Sequence, residues 1–151
     1  MIRRLVNACA LVPVLLRAQT PVSAMYAVSS DVSLRIWVPE GTVRVDVWDH
    51  DSVRVTGTVV RGAHYFGGGS GGGAKFGVEW DDHNRTTLPH ADFVVTVPRK
   101  AKVWVKMTDG DIVAANTAGE FEAITVTGSI VVQDAKGVVS VETIDANVTL
   151  S

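Results

Sequence analysis

The sequence has one cysteine, Cys9, and it lies within the first dozen or so apolar residues. If that segment is removed, the remaining domain has no thiol, which excludes disulfide staples and cysteine chemistry. Helical patterning is also missing after the N-terminus, as is any apolar run long enough to cross a bilayer of ~30 Å. Charged residues make up 20% of the chain and acidic ones outnumber basic ones 16 to 14, which argues against a nucleic-acid partner, since phosphate binding needs a basic footprint.

The first residues read as an export signal. Met1-Ile2-Arg3-Arg4 is a short cationic start, Leu5 to Leu16 is mostly apolar, and Val22-Ser23-Ala24 offers small residues where a signal peptidase reads. A signal peptide over 1–24 is expected, with Ala18 as a second cleavage point. Cys9 lies inside the apolar run rather than after it, so lipidation is not expected. All 16 acidic residues follow Ala24, whereas Arg3, Arg4 and Arg17 precede it, so a mature chain from Met25 carries about five net negative charges. A soluble exported protein, periplasmic, surface-bound or extracellular, follows, with no nucleic-acid partner and no membrane span after signal removal.

What fills the rest is a strand alphabet. Val, Thr and Ile dominate, and β-branched side chains fit a pleated surface. Alternation of period two runs through Val32–Val38, Thr42–Trp48, Val53–Val60, Phe93–Val97 and Val103–Met107, with turn residues at Pro39-Glu40-Gly41 and Asp49-His50-Asp51. The second half keeps a beat. Gly110, Gly119, Gly128 and Gly137 are each nine residues apart, and Ala146 takes the next place. Two positions after each beat stand Ile112, Phe121, Ile130, Val139 and Val148, which are expected to form one stacked interior row. Six positions after stand the polar Asn116, Thr125, Asp134 and Thr143. Alternation at the third and seventh places suggests a doubled, 18-residue coil of two unlike strands. Such a unit cannot bury its apolar side alone, so copies must stack. The expected fold is an all-β, single-domain, β-solenoid-like stack over 25–151, with an antiparallel β-sandwich as the alternative.

The run from Ala91 to Ser151 resembles the bacterial putative-adhesin family, a domain of unknown function. The pieces that carry the resemblance are Val97-Pro98, Thr108-Asp109-Gly110-Asp111-Ile112-Val113 and Thr127-Gly128-Ser129-Ile130-Val131. It implies an exported, solenoid-like domain and brings no catalytic residues.

Gly67 to Gly73, interrupted only by Ser70, is not a P-loop, because no Gly-Lys-Ser/Thr and no helix follow. It reads as a flexible tether within a loop insertion at about 61–91. Its aromatic flanks, Tyr65, Phe66, Phe76 and Trp80, are the candidate ligand-contact residues. Asp49-His50-Asp51 and Asp81-Asp82-His83 are metal-capable residue types, but solvated turns account for them, and no metal or cofactor is assigned. His50, His64, His83 and His90 stand near no recognisable nucleophile elbow, so no catalytic residue is assigned either. The expected role is a non-enzymatic adhesin-like module with an unknown protein or glycan partner at the envelope. A β-helix carbohydrate-active hydrolase and a pure envelope structural protein are the alternatives. Self-association through the C-terminal edge, "ANVTLS", is also expected, because Val148 and Leu150 continue the interior pattern to the end of the sequence.

Overall fold

The computed structural model describes residues 18–151, and the first part of the expected signal peptide lies outside them. Nine strands follow in order: β1 (Gln19–Trp37), β2 (Glu40–Trp48), β3 (Ser52–Val60), β4 (Ala63–Trp80), β5 (His90–Pro98), β6 (Lys102–Lys106), β7 (Asp109–Ala115), β8 (Phe121–Gln133) and β9 (Val139–Leu150). No helix occurs among the described residues. All nine belong to one sheet of mixed order, β3-β5-β2-β7-β8-β6-β1-β4, with β9 on β8.

The nine-residue beat is realised as an 18-residue register. Parallel pairing sets Ile112 beside Ile130 and Ile130 beside Val148, while Val103 faces Phe121 and Phe121 faces Val139. The expected single row is therefore two rows, one on each arm of the repeating unit. The reason is geometric: each 18-residue rung contains two strands, so consecutive beats fall on different arms. Both rows extend upstream. Leu34 joins Val103 on the first arm, and Val43 joins Ile112 on the second. Ile112, Phe121 and Ile130 are fully buried, Val139 is partly buried and Val148 is 42% exposed. Burial fades at β9 because, among the described residues, β8 is its only pairing partner. Parallel pairing through the repeat is also what a sandwich of consecutive hairpins would not give.

Glycine is required where the rungs approach closely at one corner. Gly41 pairs with Gly110 and Gly110 with Gly128, and all three hold φ between +115° and +150°. A Cβ on Gly128 would run into the carbonyl of Gly110, and one on Gly110 into the carbonyl of Gly41. Gly119 and Gly137 make the same kind of approach at the opposite corner, against Ala101 and Gly119. Asn116 (φ 60°) and Asp134 (φ 52°) take the left-handed turn positions that close each rung, a conformation these short polar side chains tolerate. The polar sixth place thus divides by arm: Asn116 and Asp134 turn the chain, whereas Thr125 is buried inside.

One end of the stack carries an antiparallel cover. β3 pairs with β5 through Arg54–Val59 and with the first half of β1 through Gln19–Ala27. Val22 and Ala24 of the expected signal peptide sit in that ladder, opposite Gly57 and Val55. Cleavage after Ala18 leaves β1 whole, whereas cleavage after Ala24 removes part of it.

The expected flexible tether differs most. Gly67 to Gly73 is not a loose loop but part of β4, and Gly71 and Gly73 pair with Val28 and Ser33 of β1. β4 doubles back: the Asp81 amide donates to the Gly62 carbonyl at 3.0 Å, and His64 faces Glu79. Glycine offers the same backbone donors and acceptors as any residue, and a neighbouring strand can satisfy them despite the entropy cost. The irregular part of the insertion narrows to the segment between Trp80 and His90.

Replacing Gly128 by Val should cost roughly 2–4 kcal/mol in chemical denaturation, since the positive φ and the carbonyl contact both oppose a side chain. Ser129→Ala, which removes one exposed hydrogen bond, should cost about 1 kcal/mol or less. Equal losses would show that the corner is not constrained.

Candidate functional site

The four aromatic residues expected to contact a ligand are mostly absorbed by packing. Phe76 is buried, and its ring lies 5.8 Å from Tyr65 and 6.0 Å from Phe93. The Tyr65 hydroxyl bonds that of Tyr26 at 2.6 Å. Phe66 lies against Gly77. The Trp80 indole donates to the Thr87 carbonyl at 2.6 Å, with the Arg85 guanidinium 4.4 Å above its ring. Sequence periodicity could not show this, because the doubling-back of β4 is what turns Phe76 and Tyr65 inward.

The histidines are likewise engaged. His64 lies between Asp81 (2.6 Å) and Glu79 (3.0 Å), and His90 lies between Asp92 (3.1 Å) and Glu40 (3.2 Å). Each imidazole has both nitrogens against carboxylates. His50 packs edge-on against Trp48 with centroids 5.0 Å apart. Beside it Arg99 forks onto Asp49 at 2.6 and 3.4 Å, and this hydrogen bond and charge hold the carboxyl below its ordinary pKa. Among the described residues no group of three or more His, Cys, Asp or Glu side chains is arranged to hold a metal ion.

The two arms of the stack use their outward side chains differently. On the second arm, polar groups bond along the ladder: Thr42 to Asp92, Ser129 to Asp111 and Thr127 to Asp109, each at 2.7 Å. Hydroxyls alternate with carboxylates along the Asp92–Thr42–Asp111–Ser129 row, whereas in the next row Glu40 stands beside Asp109. On the first arm, Lys75 stands beside Arg35, Arg35 beside Trp104, Trp104 beside Glu122 and Glu122 beside Ser140. A parallel row carries Gly77, Trp37, Lys106, Ile124 and Glu142. Period-two alternation turns all of these outward while Leu34, Ile36, Val103, Val105 and Phe121 fill the core.

Between the first of these rows and the neighbouring Ser33–Lys102 pair lies an open groove of about 510 Å³ lined by Ser33, Arg35, Lys102, Trp104, Glu120 and Glu122. Trp37 is 54% exposed and Trp104 partly exposed. Within the described residues, neither indole N–H has a hydrogen-bond partner, whereas those of Trp48 and Trp80 both do. None of Arg35, Lys75, Lys102 and Lys106 forms an ion pair there, while Arg44 and Arg99 do. This is the candidate site. Its residues were visible in the sequence as outward positions of two strands, but nothing in the sequence placed β1 beside β6.

No family model matches the chain, and no curated protein matches it. Among solved structures, it is similar to a putative cell adhesion protein from Clostridium sporogenes ATCC 15579. The two are 7% identical with a TM-score of 0.56, and the match covers 87% of this chain and 100% of that one. At that identity the likeness shows the fold alone.

Burial first, and then the bond to Tyr26, pushes the Tyr65 hydroxyl above its ordinary pKa. The folded state therefore favours the neutral phenol. Its contribution to stability is complete below the ordinary tyrosine value of ~10 and is lost as pH rises through the higher folded value. An alkaline titration of tyrosinate absorbance should show a delayed step that Tyr65→Phe abolishes. Identical titrations of that step in the two proteins would contradict the assignment.

Proposed function

We propose that this chain is an exported, non-enzymatic binding module of adhesin-like character, acting at the cell envelope through the first-arm face. The observation that carries the reading is the contrast between arms. One arm spends its polar groups on its own ladder, while the other presents free indoles and free charges across adjacent strands. The likeness to the clostridial adhesion protein supports it, as does the resemblance to the putative-adhesin family. The registers at 18-residue spacing support reading the repeat as solenoid-like coils. Exposed Trp beside charged groups is the composition of recognition surfaces rather than of idle ones.

Fluorescently labelled full chain should bind isolated bacterial envelope fragments saturably and be displaced by unlabelled protein, without release of reducing ends. Release of reducing ends would favour the hydrolase, and the lack of any saturable binding would favour a purely structural role.

A second part of the proposal concerns β9. It is paired on one side, and Ile144, Val148 and Leu150 are 84%, 42% and 59% exposed. Strand addition from a second copy would satisfy its backbone groups and cover these side chains. Light scattering over a roughly hundredfold concentration range should show reversible self-association that Leu150→Lys weakens. A monomer throughout would remove this part of the proposal.

A further inference from the structure

The geometry of the first-arm groove points to a specific ligand chemistry: we propose that it binds an acidic oligosaccharide, a sugar chain bearing carboxylates, laid across the strands. The inference rests on the binding-module reading above and names the ligand class.

Charge is the first argument. Lys75, Arg35, Lys102 and Lys106 stand on three adjacent strands, β4, β1 and β6, about 4.8 Å apart. With no carboxylate within ion-pair distance among the described residues, their field is directed outward on a chain whose formal charge is negative. An anionic group is what this part of the groove lacks. Arg35 and Lys102 line the groove directly, on either side of the strand boundary.

The second argument is the indoles. Trp104 lines the groove, and Trp37 lies two residues along β1 from Arg35, the partner of Trp104. Strand spacing and rise put the two positions roughly 8 Å apart, so they can serve neighbouring rings of a chain rather than one ring. The π face of an indole carries negative potential, which suits the weakly positive C–H face of a sugar ring. Each free indole N–H is also a donor for a ring or hydroxyl oxygen.

The third argument excludes simpler polyanions. Glu120, just before β8, and Glu122 within it close the groove on that side. A uniformly charged strand such as a nucleic acid or polyphosphate would lay phosphates against them, at the cost of like-charge repulsion. An acidic sugar chain carries hydroxyl donors on every ring beside its carboxylates, and Glu120 and Glu122 accept from hydroxyls. Cations on β1 and β6, acceptors at the start of β8 and Trp104 between Arg35 and Glu122 match such a mixture of carboxylates and hydroxyls.

Affinity electrophoresis and calorimetry of the full chain with polygalacturonate test the proposal, with dextran as neutral polymer and polyglutamate as acidic peptide. Polygalacturonate should retard the protein and bind less well as salt rises. Dextran and polyglutamate should bind at least about tenfold more weakly. Trp104→Ala and the double change Arg35→Gln with Lys102→Gln should each weaken binding about tenfold or more at an unchanged thermal midpoint. Should Trp104→Ala fail to fold, the exposed Arg35 and Lys102 changes still decide the matter. Polyglutamate binding as well as polygalacturonate would overturn the proposal, and so would a folded Trp104→Ala protein that binds like the parent. Saturable envelope binding without polygalacturonate binding would sink this inference and leave the binding-module reading standing. Loss of both would sink the two together.

Discussion

Parallel, in-register stacking at 18-residue spacing is the constraint on which the rest of the molecule depends. It brings backbone against backbone at a corner where Gly41, Gly110 and Gly128 leave no space for a Cβ. With that corner fixed, every side chain two residues on is stacked over its equivalent, so Val43, Ile112 and Ile130 form one continuous buried column. The column gains from hydrophobic burial and close packing together, because identical registers keep neighbouring side chains in contact along the stack. A register slip of one residue would turn the whole column outward.

The same stacking dictates what happens on the surface. Outward residues also meet their equivalents, so a charge at one position meets whatever the next rung carries there. In one of its rows the second arm resolves this by alternating carboxylates with hydroxyls, as in Asp92, Thr42 and Asp111, Ser129. The first arm instead places cations on adjacent strands and acids on the next, with indoles between. Repulsion between Lys75 and Arg35 works against folding, mildly because both are solvated. Surfaces that keep such a cost without an internal partner are where recognition is expected.

The ends of the stack are unequal. At β5 and β4 the parallel strands are covered by β3, by the first half of β1 and by the doubled-back β4, and the aromatic cluster of Tyr65, Phe76 and Phe93 fills the space beneath. At β9 the last ladder is paired on one side only. The insertion expected to be a flexible loop thus supplies core to the covered end. Its glycine run stays exposed, yet the strand it belongs to delivers Phe76 to the interior and Lys75 to a place beside Arg35.

Much was legible in the sequence because it is local or periodic. Alternation over Val32–Val38 and Val103–Met107 identifies the strands and their buried faces, and the glycine beat identifies the corner. The doubled period at the third and seventh places already signals two unlike arms. Tertiary structure alone decided the rest, since it concerns positions far apart in the chain. Nothing in the spacing of Arg35 and Trp104, or of Tyr65 and Phe93, brings them together; strand pairing and the folding-back of β4 do. Of the aromatic flanks of the glycine run, Phe76 is core and Tyr65, Phe66 and Trp80 are half-buried, while outward residues of β1, β6 and the start of β8 form the groove. A short-range pattern fixes which face a side chain takes, but only long-range pairing fixes what lies beside it.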